Sequence, residues 1–126
     1  MKSDFEMIPA IVATASGAVG NELTFTFPDV LTAIRVCTEN DIAVLGVEIF
    51  LVQSNKFQAS GCSTYDLQMG SWGEVGVSDW SRYVKYNNRL AEEFIRQNPT
   101  GDEHVYVLTN SSWQEFCQLQ QKGRKL

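Results

Sequence analysis

The stretch NDIAVLGVEIFLVQ, Asn40 to Gln53, is the most apolar part of the chain, and its period decides the fold. Ala43, Leu45, Val47, Ile49 and Leu51 alternate onto one wholly apolar face, while Ile42, Val44, Gly46, Glu48, Phe50 and Val52 make the other. This pattern predicts a central strand with one face in the core and the other, carrying Glu48, turned away from the helices. Two readings of Glu48 are open: a solvated or arginine-paired acid on an open sheet face, or a working group.

On the C-terminal side of this strand, QSNK supplies a turn and FQASGCSTYD returns as an antiparallel partner. On the N-terminal side, TFPDVLTAIRVCTEN places Phe27, Val30, Ile34 and Cys37 at helical spacing. Thr26 stands three before Asp29 in a capping-box spacing, Pro28 fits a first turn, and Asn40 can close the helix in the left-handed conformation. The predicted helix runs from Phe27 to Glu39. IPAIVATASGAVGNE reads as a short helix after Pro9, ended by Gly17 and Gly20.

Further along, LQMGSWGEVGVSD reads as a loop. Its glycines at 70, 73 and 76 lack the Lys-Ser/Thr of a phosphate cradle. Trp72 on that loop fits either a contact anchor or packing against the sheet. Ser78 is placed as the N-cap of the longest helix, whose buried stripe is Trp80, Tyr83, Val84, Ala91, Phe94 and Ile95. Asn87 interrupts that stripe and must find hydrogen bonds, because burying an unpaired amide costs on the order of 1–3 kcal/mol. Arg82, Lys85, Arg89 and Arg96 form a solvated second face, with Glu92 and Glu93 in pairing range. HVYVLT gives a third strand. Ser112 and Glu115 repeat the capping-box spacing before a last helix with a stripe of Trp113, Phe116, Cys117 and Gln120.

The expected fold is one α+β domain over residues 1–126, with a small, mainly antiparallel sheet of about three or four strands and helices mainly on one face. The balance of 44% hydrophobic and 20% charged residues is that of an ordinary globular chain. No apolar run reaches the length of a membrane span, and the N-terminus has acids where a signal peptide would be basic and apolar. The expectation is a cytoplasmic protein with no membrane contact. Cys37, Cys62 and Cys117 are scattered and odd in number, and His104 is the single histidine. Neither a disulfide framework nor a metal site is expected, and no cofactor. Nothing around the cysteines, serines or His104 resembles a nucleophile signature, so the chain reads as a non-enzyme. Glu48 and Asp66 could meet if the first two strands pair, but sequence does not give the separation that paired-carboxylate chemistry needs.

The net charge of −5 is uneven: residues 1–81 hold ten acids against three bases, and residues 82–126 five acids against seven bases. An acidic body disfavours nucleic acid, whose binding rests on neutralising phosphates, and favours a basic partner or plain solubility.

A helix followed by ENDIAVLGVEIF, then STYD, then WSRYVKYNNRLAEEFI resembles the bacterial immunity protein 40 family, predicted antidotes of polymorphic toxin systems. The resemblance spans roughly Gly20 to Ile95 and matches Gly46, Glu48, Tyr65, Asp66 and Trp80; an aspartate is common in that family where Glu48 stands. It implies a cognate protein toxin as partner, and neither the toxin's chemistry nor the oligomeric state. On it, Glu48 joins a structural polar cluster with Tyr65, Asp66 and Asn87. Glu48, Asp66, Trp72, Glu74 and Asp79 become the toxin-binding candidates, with Trp72 as aromatic anchor inside an acidic rim. The alternative is a small-molecule pocket on the open sheet face, lined by Glu48, Phe50, Tyr65 and Trp72.

Overall fold

The computed structural model describes residues 4–19, 22–53, 56–59, 77–97 and 103–124. A short 3-10 turn, Phe5–Met7, leads into α1 (Pro9–Thr14), β1 (Gly17–Val19), β2 (Glu22–Phe25), α2 (Asp29–Glu39) and β3 (Ala43–Gln53). Then come β4 (Lys56–Ala59), α3 (Val77–Gln97), β5 (His104–Ser111) and α4 (Trp113–Arg124). Among the described residues the strands form one antiparallel sheet in the order β1-β2-β5-β3-β4. The α+β class is therefore as expected. The sheet has five described strands because β1 and β2, an antiparallel pair, occupy a stretch in which the sequence shows only a helix end and a cap.

The central strand holds its place but not its predicted faces. A bulge between Val44 and Gly46 inserts Leu45 as an extra residue opposite β5 and reverses the alternation. Ile42 and Val44 before it, and Val47 and Ile49 after it, therefore lie in the same core, with Phe25, Tyr106 and Leu108 from the neighbouring strands. Phe5, Ile11 of α1, the stripe Val30, Leu31, Ala33, Ile34 and Cys37 of α2, and Ala91 and Ile95 of α3 complete that core. Each fully buried aliphatic side chain there contributes about 1.5–3 kcal/mol. Ala43 and Leu45 point to the opposite face, where they meet Trp80, Tyr83 and Val84 of α3 with Trp113 and Phe116 of α4. The helices are thus mainly on one face, and α4 packs on the other at the start of β3.

Three caps differ from expectation. Helix α2 begins at Asp29, not Phe27: the Thr26 hydroxyl reaches the Asp29 carboxylate at 3.4 Å, and no side-chain cap bond closes the first turn. At its other end Asn40 keeps a negative φ of −107°, its side chain bonding Val36 O at 2.9 Å, and Asp41 takes the left-handed conformation with φ 56°. Helix α3 already begins at Val77, which places Ser78 inside it. The Ser112–Glu115 capping box forms as predicted: Ser112 N–H donates to Glu115 Oε1 at 3.0 Å, and Glu115 N–H donates to Ser112 Oγ at 3.2 Å.

Candidate functional site

Of the candidates named from sequence, Tyr65, Asp66, Trp72 and Glu74 lie outside the described residues. Asp79 is exposed in the first turn of α3. Glu48 stands on the sheet face opposite α1 and α2, half-buried, in a row with Val107 of β5 and Thr24 of β2. Val107 is 1% exposed and Thr24 2%, so the sheet is not open along this row as expected. Thr24 shares a 2.9 Å hydrogen bond with Ser16.

Asn87 has partners other than the expected Glu48 grouping. Beyond β4, which pairs with Phe50 to Gln53, the first half of β3 has an edge whose main-chain groups point away from β5. Helix α3 lies along that edge and meets it with two adjacent, wholly buried asparagines. Asn88 Oδ1 accepts from Val44 N–H at 2.9 Å, and Asn88 Nδ2 donates to Ile42 O at 2.9 Å and Thr38 Oγ1 at 3.0 Å. Asn87 Nδ2 donates to Val44 O at 2.9 Å and Asn88 Oδ1 at 3.1 Å. Trp80 Nε1 continues the seam with a 2.7 Å bond to Asp41 O. The paired asparagines do for this edge what a neighbouring strand would do, and their role is structural.

The acids gather elsewhere, on either side of the 3-10 turn at Phe5–Met7. One cleft, of about 260 Å³, lies between that turn, the α2–β3 corner and the start of α4. It is lined by the acids Asp4 and Asp41, the polar residues Asn40, Ser81, Ser112 and Gln114, and the aromatic Trp80 and Trp113. Trp80 is buried and Trp113 half-buried, their ring centroids 5.3 Å apart. The second cleft, of about 220 Å³, has Glu6 and Glu22 with Phe5, Leu23, Leu108, Thr109 and Asn110. Lysine, arginine and histidine are absent from the described lining of both. The turn between them is tied to the N-terminus of α4, where Ser112 Oγ donates to Asp4 Oδ2 at 2.5 Å and Asp4 N–H donates to Glu115 Oε2 at 3.4 Å.

None of the described bases lines either cleft. Arg82, Lys85 and Arg89 are exposed on α3, with Arg89 stacked 5.7 Å over the Tyr86 ring. Glu92 pairs with Arg96 at 3.7 Å, as its spacing suggested, and also with Arg35 of α2 at 3.3 Å. Burial pushes the Cys37 thiol up to about 12, which makes it a core residue and not a nucleophile. Among the described residues no three His, Cys, Asp or Glu side chains gather as a metal site, and no helix is long and apolar enough to cross a membrane.

The residues that sequence reasoning missed are Asp4, Asp41, Glu6, Glu22 and Trp113. Asp4 and Ser112 meet across 108 positions, and no local pattern signals such a contact. No protein-family model, curated protein or solved structure matches this chain.

Proposed function

We propose that this chain is an immunity protein, which binds one basic protein toxin in the cytoplasm and neutralises it by covering the toxin's working surface, without chemistry of its own. The observation that carries this reading is the pair of neighbouring clefts with four carboxylates, Asp4, Asp41, Glu6 and Glu22, and no basic side chain among their described lining. A toxin that acts on nucleic acid must itself present a basic surface to hold phosphates. An acidic, partly aromatic surface of this kind complements it in charge and speeds encounter. The sequence resemblance to the immunity protein 40 family supports the same reading, as does the excess of acids over residues 1–81. The contact is then placed on the two clefts with Asp79 close by in sequence; Glu48 is half-buried in mid-sheet and contributes less.

Co-expression with the product of the neighbouring gene, tested as the toxin, is the direct test. Protected growth and a complex that co-elutes on a sizing column are the expected results; unchanged killing with no complex sinks the proposal.

A further inference from the structure

We infer that the cleft between the 3-10 turn and α4 receives an arginine side chain of the protein partner, an inference that rests on the partner being a basic protein. Its walls supply the groups a guanidinium uses. Asp4 and Asp41, from two different segments, bring acids to its lining, and the half-buried Trp113 brings an aromatic ring, fixed by contact with Trp80 at 5.3 Å and Phe116 at 5.9 Å. A planar cation bonded by carboxylates at its edges and stacked on an aromatic face is the arrangement that favours arginine over lysine. The volume, about 260 Å³, lies below the roughly 300–1,000 Å³ of pockets that enclose whole small molecules, and it suits one side chain.

An anion is the obvious rival, because α4 begins at this cleft and helix N-termini attract negative charge. That end is already served from within the chain: Glu115 takes the Ser112 N–H, and Asp4 takes the Ser112 hydroxyl. Any added anion would also face Asp4 and Asp41. The cleft is furthermore held in shape before a partner arrives, since the Asp41 carbonyl accepts the Trp80 indole N–H at 2.7 Å and the Asp4 N–H donates to Glu115. Arginine insertion therefore needs little reordering of this chain.

The test uses the full chain, with its tryptophan indole N–H signals followed by NMR during titration with N-acetyl-arginine amide. N-acetyl-citrulline amide, its neutral isostere, and N-acetyl-lysine amide are run beside it. Saturable shifts centred on the Trp113 indole, with millimolar affinity for the arginine probe and no saturation with citrulline, are the expected result. Asp41→Asn, which keeps a residue tolerant of the left-handed backbone, should weaken the arginine probe roughly tenfold while leaving the remaining spectrum in place. Equal binding of citrulline overturns the charge argument, equal binding of lysine overturns the guanidinium assignment, and no saturable shift overturns the site. None of these outcomes depends on the toxin, so failure here is separable from failure of co-expression to protect.

Discussion

Replacing Asn88 by alanine strikes the seam that attaches α3 to the sheet, and its cost can be worked bond by bond. The change removes the acceptor for Val44 N–H and the donor for Ile42 O, two main-chain groups held within the fold, together with the bond to Thr38. Leaving a buried polar group unpaired costs about 1–3 kcal/mol, so the two main-chain groups alone give about 2–6 kcal/mol. That is a large part of the 5–15 kcal/mol, roughly, that holds a domain folded. Asn87→Ala serves as the internal control. It loses the bond to Val44 O, but it also removes Asn87 Oδ1, which is buried without a partner, so the two effects partly offset and the net cost is about 1–2 kcal/mol. Urea unfolding followed by tryptophan fluorescence reads both variants, since Trp80 lies on the same helix. With a slope of about 2 kcal/mol per molar urea, Asn88→Ala should lower the midpoint by roughly 2 M and Asn87→Ala by less than about 1 M. Equal losses for the two, or a loss under about 1 kcal/mol for Asn88→Ala, would refute the claim that the asparagines replace a strand.

Three further outcomes are expected. Asp41 has φ 56°, so Asp41→Gly should leave stability unchanged or raised while Asp41→Val costs about 1–2 kcal/mol, both read from thermal midpoints. The Cys37 thiol titrates near 9 when unfolded and at about 12 when folded, so the native state keeps the extra proton between those values. Its stabilisation is full below pH 9 and falls as pH rises toward 12, at most about 1.4 kcal/mol per pH unit, and urea midpoints across that window should decline less steeply in Cys37→Ala. In toxin binding, charge reversal of Asp41 and Glu22 should slow association and flatten its salt dependence with little effect on folding; if reversing Arg82, Lys85 and Arg89 abolishes protection instead, the interface is the basic face of α3.

Local periodicity was enough to place most of the elements. The apolar run at 42–52, the stripe of α2 and the long stripe of α3 each carry their own period, and the Ser112–Glu115 box marks the start of α4, because strands, helices and caps are set by neighbours two to four positions away. The β1–β2 pair escaped notice because its strands are three and four residues long, too short for alternation to register. What the sequence could not determine is which face each residue of β3 presents. One extra residue at Leu45 reverses the alternation, and only pairing with β5 reveals it. Asn87 could be recognised as an amide in need of partners, but its main-chain partner, Val44 O, stands 43 positions away and is brought alongside by the path of α3 across the strand edge. The acidic clefts depend still more on tertiary structure: Asp4, Asp41 and Trp113 share no segment, and they meet because the N-terminal turn docks on the cap of the last helix.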